Sequence, residues 1–167
     1  DIVCLPNIRA VLNLHDFETM AKSILVGSGR KQAWDNYSSG AADELTISEN
    51  VGAFRRLWLK PRVLVDVKDV DTTCTILGTP SPLPLFLSAV AMCGMGHTDG
   101  ELAWVRAAAD TGVIFMVPNF SSRSFDEVLA ARQPGQTVHF QMYVKPDRAV
   151  VQEQIRAGER HGVKAIP

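Results

Sequence analysis

The sequence predicts an α/β protein with a parallel sheet, because strand-like and helix-like segments alternate along its second half. Leu85 to Ala91 is an apolar run of strand length, which is typical of a parallel strand covered on both faces. Three further apolar runs follow, each separated from the last by a segment with helical apolar spacing. This βαβαβαβ order is shared by doubly wound sheets and by the (β/α)8 barrel, and the pattern alone does not separate them.

The first third of the chain is expected to be helical. Apolar residues recur at helical spacing from Phe17 to Leu25, behind Asn13 or Asp16 as the helix cap. A second helix is expected from Lys31 to Tyr37 and should stop near Gly40.

A third helix is predicted where Thr46 to Glu49 forms a capping-box pattern, with an apolar face that continues until Pro61 ends the helix. The basic residues from Arg55 to Arg62 suit either nucleic-acid contact or a helix C-terminus, where cations complement the helix dipole. We prefer the second explanation, in which Trp58 packs inward.

Short strands are expected before the Leu85 to Ala91 strand, and further parallel strands after it. Val63 to Val67 alternates in polarity, and Thr72 to Ile76 is rich in β-branched residues. Further strands are predicted at Val113 to Val117 and at Val138 to Val144. Val163 to Ile166 is expected to begin a fourth parallel strand.

The helices between these strands have recognisable ends. An apolar stripe from Leu102 to Ala109 is closed by Gly112. Ser124 to Glu127 is a capping box that opens a helix through Ala131, and Asp147 is a cap for the last helix. No G-x-G-x-x-G follows the first parallel strand, which disfavours a nucleotide-binding doubly wound fold.

Composition argues against several classes of function. Seventeen Lys and Arg residues against eighteen Asp and Glu residues leave a net charge of −1, so neither nucleic acid nor a membrane is expected as a partner. The longest apolar stretch, Leu83 to Met95, is shorter than the roughly 20 residues that a membrane span needs. Three widely spaced cysteines and four scattered histidines predict neither a disulfide framework nor a metal site.

Gln141 and Tyr143 are the first candidate site residues. In a parallel barrel, polar groups near the C-terminal end of a strand face the site, and strand alternation puts these two on one face. Ligand contact and an amphipathic edge position fit this spacing equally well.

Five blocks of sequence point to a known family. They are Tyr37 to Glu44, Glu49-Asn50, Ala53 to Arg56, Lys60 to Val67 and Phe140 to Val144. In this order they resemble the FMN-dependent 2-hydroxy acid dehydrogenases and oxidases, which include glycolate oxidase and the flavocytochrome-type L-lactate dehydrogenases. The resemblance starts near Leu14, so residues 14–167 are expected to be a truncated dehydrogenase domain and residues 1–13 an N-terminal segment or linker.

This resemblance implies a fold, a cofactor and a reaction. The fold is the N-terminal part of a (β/α)8 TIM barrel, preceded by helices and a small β-hairpin. The family holds FMN at the carboxyl ends of the strands and oxidises an L-2-hydroxy acid of the lactate or glycolate type to a 2-keto acid. The expected partners are therefore FMN and a small 2-hydroxy acid, and the full-length protein is expected to be a homo-oligomer.

The resemblance also assigns roles to particular residues. The backbone of Ala89, Val90 and Ala91 corresponds to the first-strand segment that lies against the flavin. Gln141 matches a glutamine that hydrogen-bonds the flavin ring, and Tyr143 matches a tyrosine that contacts substrate.

Three positions depart from the family pattern. Val90 stands where the family usually has Thr, and Asn36 stands where a tyrosine binds the substrate carboxylate. Pro118 falls near a flavin-binding polar position, with Asn119 beside it as a compensating group. Each change removes or alters a polar contact, so the site is expected to be weakened.

No catalytic residue is assigned within this chain. The resemblance places the catalytic His, the Lys beside the flavin and the substrate arginines in the family's second half. His139 and His161 do not match that catalytic His, so the chain is expected to be inactive alone. The alternative is a non-catalytic remnant, or a half-barrel that acts as an interaction module.

Overall fold

The computed structural model describes residues 7–167. The chain divides into two units, of which one runs to Asp69 and the other comprises Val70–Pro167. The start of the predicted N-terminal segment, including Cys4, lies outside the described residues.

The first unit is helical, as its apolar spacing predicts. Its elements are a 3-10 helix Ile8–Ala10, α1 (Leu14–Gly27), α2 (Lys31–Ser38), α3 (Leu45–Gly52) and a second 3-10 helix Ala53–Arg56. Asn13 caps α1, because its side chain accepts a hydrogen bond from the Asp16 backbone N–H over 3.0 Å. The first two predicted helices are confirmed.

The capping box predicted at Thr46 to Glu49 does not form. α3 begins after Glu44, whose backbone φ of +56° is left-handed and whose side chain makes no cap bond to the helix. The Glu44 carboxylate instead accepts a hydrogen bond from the Gly40 backbone N–H over 3.0 Å. Because the helix starts before Thr46, this residue lies inside the first turn and is not a cap.

Residues 57–69 contain neither a helix nor a strand. The second 3-10 helix ends at Arg56 instead of continuing to Pro61, and Trp58 is 90% exposed rather than packed inward. The strand predicted at Val63 to Val67 is also wrong, because Leu64 has a φ of +60°, which interrupts extended backbone.

The second unit opens with an antiparallel hairpin of β1 (Cys74–Ile76) and β2 (Thr79–Ser81). Leu77 and Gly78 form the two-residue turn, with φ values of +47° and +76°. Two positive φ values are typical of a type I′ turn, whose twist matches that of the flanking strands. The predicted strand ending at Ile76 is therefore confirmed in its second half.

A three-stranded parallel sheet follows, in the order β3–β4–β5. Its strands are β3 (Phe86–Leu87), β4 (Ile114–Val117) and β5 (Val138–Phe140). The predicted fourth strand is not a regular strand, but it lies beside β5: the Lys164 backbone N–H donates to the Val138 carbonyl over 3.1 Å, and the Phe140 N–H to the Ala165 carbonyl over 2.9 Å. The α/β class and the parallel pairing are confirmed.

Two parallel strands are shorter than predicted. β3 covers only two residues of Leu85 to Ala91, and β5 ends before Gln141, so Val138 to Val144 is not one strand. Beyond these ends the chain pairs between loops instead, since the Met92 N–H donates to the Phe120 carbonyl over 3.0 Å. The apolar residues beyond these ends are not all buried, since Val90 and Val144 are exposed, so an apolar run does not by itself show where a strand ends.

The helices of the second unit begin and end close to their predicted positions. They are α4 (Glu101–Thr111), α5 (Phe125–Ala130) and α6 (Arg148–Arg160), with a 3-10 helix Cys93–Met95 before α4. Gly112 closes α4 with a φ of +71°. Ser124 and Glu127 form the predicted capping box of α5, and the Asp147 side chain caps α6 by accepting from the Ala149 N–H over 2.9 Å.

The core of the second unit lies between the sheet and its helices. Val105 of α4 and Val128 of α5 are fully buried in the same cluster as Phe115 and Val138 of the sheet. These strand residues alternate with others that point to the opposite face.

The opposite face of the sheet is also buried at its centre. Ile114, Met116 and His139 are each less than a tenth exposed. Thr79 of the hairpin approaches this face, with its Oγ1 atom 3.4 Å from Nε2 of His139. The hairpin therefore packs against the sheet opposite the helices.

Replacing Ser124 by Ala is expected to lower the free energy of unfolding by about 1 kcal/mol, because the α5 cap bond is lost. The matched control is Thr46→Ala, at the capping box that does not form, and it should leave stability unchanged. Urea unfolding followed by circular dichroism measures both variants. Equal losses in the two variants would contradict the assignment of the cap.

Candidate functional site

The segments that follow the three parallel strands lie at one edge of the sheet, because the carboxyl ends of parallel strands lie together. We call residues 88–96, 118–123 and 141–147 the carboxyl-edge segments. All the predicted site residues of the second unit occur in these segments.

Hydrogen bonds join the carboxyl-edge segments to one another. The Met92 N–H donates to the Phe120 carbonyl over 3.0 Å, and the Asn119 N–H donates to Oε1 of Gln141 over 3.1 Å. The Gln141 backbone N–H also donates to the Val117 carbonyl over 2.9 Å. Each segment is therefore bonded to a neighbouring one.

The side-chain amide of Gln141 has a defined direction. Its Oε1 atom is held by the Asn119 N–H, so its Nε2 group is the part left to donate to a ligand. Asn119 is held in turn, since Nε2 of Gln154 on α6 donates to Oδ1 of Asn119 over 3.1 Å. Gln141 is half-buried and lies beyond β5, so strand alternation does not pair it with Tyr143.

Exposed apolar side chains accompany this amide in the carboxyl-edge segments. Phe120 and Tyr143 are 56% and 54% exposed, and their ring centroids lie 5.3 Å apart. Val90 is exposed as well. These segments thus combine apolar surface with the oriented side-chain amide of Gln141.

The other predicted site residues all lie in the second unit except Asn36, which belongs to the first. Ala89 and Ala91 are half-buried beside Val90, and Pro118 is buried directly after β4. Pro118 has no N–H to offer a ligand, whereas its neighbour Asn119 reaches Gln141. Asn36 belongs to the first unit, where it lies on α2 and is exposed.

Glu101 is a candidate residue that the sequence analysis missed. Its carboxylate is fully buried, and Oε1 accepts hydrogen bonds from the Cys93 N–H (3.0 Å), the Ser122 N–H (2.9 Å) and the Ser122 hydroxyl (3.2 Å). Burial alone raises the pKa of this carboxyl, but the backbone donors outweigh it and hold the pKa below its usual value. The only signal in the sequence was an acidic residue in the first helical turn, which the helix dipole explains equally well.

The thiol of Cys93 lies beside this carboxylate. Burial, followed by the negative charge of Glu101, raises the pKa of Cys93 to about 11. The thiol is therefore protonated at neutral pH, and it donates to the Val90 carbonyl over 3.2 Å. We assign Cys93 a structural role.

Neither a cluster of metal ligands nor a membrane-spanning helix is found between residues 7 and 167. In that part of the chain no group of three or more His, Cys, Asp or Glu side chains is arranged to hold a metal ion. No helix in the same range is both long enough and apolar enough to cross a bilayer.

Comparison with known proteins gives matches along almost the whole chain. Residues 28–167 match the FMN-dependent dehydrogenase family. The chain is 38% identical to the L-lactate dehydrogenase (cytochrome) of Wickerhamomyces anomalus, over 96% of this chain and 27% of that protein. It is 42% identical to glycolate oxidase 1 of Zea mays, over 93% of this chain and 41% of that protein. The chain thus spans less than half the length of these relatives.

Solved structures give the same result. The flavin-binding domain of baker's yeast flavocytochrome b2 superimposes with a TM-score of 0.90 at 37% identity, covering 97% of this chain and 41% of that one. Mandelate oxidase superimposes with a TM-score of 0.85 at 32% identity, covering 94% of this chain and 44% of that one.

Proposed function

The chain belongs to the FMN-dependent dehydrogenase family, and on that premise we propose that its second unit forms the first strands of a (β/α)8 barrel whose carboxyl edge binds FMN. The relatives' names refer to lactate and glycolate, which are both 2-hydroxy acids. We therefore propose that the whole protein oxidises an L-2-hydroxy acid of this class to its 2-keto acid. Residues 14–167 would be part of the catalytic domain.

The observation that carries the proposal is the meeting of the carboxyl-edge segments around the oriented amide of Gln141. A flavin ring has two apolar faces and an edge that carries carbonyl acceptors. The exposed side chains of Val90, Phe120 and Tyr143 suit the faces, and the Nε2 group of Gln141 suits the edge. The donor set therefore fits FMN, which would supply the two-electron acceptor of the reaction.

The same residues predict a weaker FMN site than the family pattern provides. Val90 has no hydroxyl group, and Pro118 has neither an N–H nor a polar side chain. A lost hydrogen bond at a buried site costs about 1–3 kcal/mol when its partner is left unsatisfied. Asn119 can replace a lost donor through its Nδ2 group but not a lost acceptor, because its side-chain oxygen already accepts a hydrogen bond from Gln154.

Substrate contacts are assigned to Tyr143 and Asn36 by the resemblance. The Tyr143 ring is exposed at the carboxyl edge, beside Phe120. The exposed Asn36 amide would replace a tyrosine hydroxyl as the donor to the substrate carboxylate.

We place the general base, the lysine beside the flavin and the substrate arginines outside residues 7–167. His139 is buried and its ring faces Thr79, while Nε2 of His161 lies 2.7 Å from a carboxylate oxygen of Asp126. Neither imidazole is placed to take a proton from a substrate at the carboxyl edge. The chain alone is therefore expected to bind FMN only weakly and without turnover. We also propose that the whole protein is a homo-oligomer.

Gel filtration of the chain with excess FMN tests this proposal. Retained flavin absorbance that does not bleach with L-lactate or glycolate is the expected result. Absence of retained flavin, together with a defined dimer in light scattering, would instead support the interaction-module alternative. The outer edge of β3 has no partner strand among residues 7–167, and this observation favours that alternative, since an open edge is a site for pairing with another chain.

Replacing Gln141 by Ala is expected to weaken FMN binding about tenfold, because one hydrogen bond to the ring is lost and the Asn119 N–H loses its acceptor. Quenching of flavin fluorescence measures the dissociation constant. Gln152→Ala, at an exposed position of α6, is the matched control and should leave binding unchanged. Equal affinities for both variants would remove Gln141 from the site.

A further inference from the structure

A single carboxylate lies where the segments after β3 and β4 meet. We define the loop junction as Cys93, Gly94, Gly100, Glu101 and Ser122. Oε1 of Glu101 accepts from the backbone N–H groups of Cys93 and Ser122, which are far apart in sequence. The Gly94 N–H completes the junction by donating to the Ser122 hydroxyl oxygen over 2.7 Å.

Both glycines of the loop junction are required by close approach. A Cβ atom on Gly94 would lie 2.8 Å from Cβ of Ser122, which is closer than real Cβ atoms come. Gly100 has a φ of +55°, and a Cβ atom there would lie 3.3 Å from the Gly94 backbone nitrogen. The two segments therefore approach closely enough for one carboxylate to bind amides from both.

We infer that Glu101 is a positioning residue of the FMN site, because the loop junction sets the separation between the backbone of Ala89 to Ala91 and Pro118. This inference rests on the proposed function. Cys93 follows Ala91 by two residues and its thiol binds the Val90 carbonyl. Ser122 follows Pro118 within the same short segment, so fixing these two amides fixes both proposed flavin contacts.

The chemistry of Glu101 is better suited to holding two segments in place than to raising the stability of the fold. Its Oε2 atom is buried and has no hydrogen-bond partner among residues 7–167. A buried carboxylate with one unpaired oxygen is costly, and an apolar residue of similar volume would pack without that cost. What an apolar residue would not provide is a charge-assisted acceptor for two separate segments.

Hydrogen exchange of the full 167-residue chain, measured by mass spectrometry, tests this inference. Glu101→Ala is expected to speed exchange of peptides containing Cys93 and Ser122 about tenfold, while β4 and β5 stay protected. Glu101→Gln, which keeps the acceptor oxygen, should restore most of this protection. Ser122→Ala removes only the hydrogen bonds of the Ser122 hydroxyl and should give a smaller increase in exchange rate in the same peptides. This variant tests the inference if Glu101→Ala fails to fold.

Two control variants separate positioning from general stability. Val128→Ala weakens the core away from the loop junction and should raise exchange throughout the second unit. Glu153→Gln removes an exposed carboxylate charge on α6 and should change neither peptide. A Glu101→Ala pattern like that of Val128→Ala, or unchanged exchange at both segments, overturns the inference.

FMN titration of the same variants provides the second measurement. Glu101→Ala is expected to weaken FMN binding about tenfold, with Glu101→Gln within about threefold of the original chain. Faster exchange without weaker FMN binding overturns the positioning role. If the unchanged chain itself retains no FMN, the proposal that its carboxyl edge binds FMN without the rest of the protein fails, and the exchange of the two segments alone then decides whether Glu101 joins them.

Discussion

Replacing Phe115 by Ala is expected to lower the free energy of unfolding of the second unit by about 3–5 kcal/mol. Phe115 is 2% exposed and lies in the central strand β4, where it pairs with Leu87 on one side and Val138 on the other. Its ring fills the core between the sheet and the helices α4 and α5. Neighbours in a paired sheet move little, so most of the cavity would remain open.

Urea unfolding followed by far-ultraviolet circular dichroism measures this loss. Because whole domains are stable by only about 5–15 kcal/mol, the variant should unfold at a much lower urea concentration or be largely unfolded in buffer. Phe54→Ala is the matched control. Phe54 is 76% exposed, so this substitution removes the same side chain without opening a cavity. A Phe115→Ala variant as stable as Phe54→Ala would contradict the observed core.

Acidification from pH 7 to pH 5 is expected to destabilise the second unit through His139. Burial lowers the pKa of His139 in the folded chain, whereas the unfolded chain has the ordinary value of about 6.5. Above pH 6.5 both states are neutral and the effect is absent. Between this value and the lower pKa of the folded chain, the unfolded state binds a proton that the folded state does not, so stability falls by up to about 1.4 kcal/mol per pH unit.

The pH dependence is assigned by comparing variants at pH 7 and pH 5. His139→Gln should lose the part of the dependence that comes from this residue, whereas His15→Gln, at a largely exposed position, should keep it. The pKa of Glu101 is held below its usual value by its backbone donors, so this carboxylate stays ionised across the window. Identical slopes for His139→Gln and the original chain would show that His139 is not the group responsible.

Local signals predicted the helices and their caps. Asn13, Ser124 and Asp147 each bind a backbone N–H two or three residues ahead, so the residues that form these bonds lie within one turn of sequence. The capping box at Thr46 failed for a related reason, because the Glu44 carboxylate binds Gly40 and the helix starts earlier. The family resemblance depends on several sequence blocks that occur in the family's order, so it too could be recognised from the sequence alone.

Strand limits and the details of the site depended on contacts between distant residues. β5 ends together with its partner β4, at the pair Phe140 and Val117, whereas β3 ends at Leu87, opposite Phe115. Val63 to Val67 has no partner strand in the described part of the chain, although its polarity alternates. The direction of the Gln141 amide depends on a backbone N–H at Asn119, 22 residues away.

Sequence pattern therefore predicts what neighbouring residues decide: helices, caps, the alternation of strand and helix, and family membership. The tertiary structure decides which polar atoms meet. Glu101 and Ser122 are 21 residues apart, and their bond exists only because two parallel strands bring their carboxyl ends to the same edge. A carboxylate in a first helical turn looks the same in sequence whether it faces water or joins two buried segments, because burial depends on the packing of the whole unit.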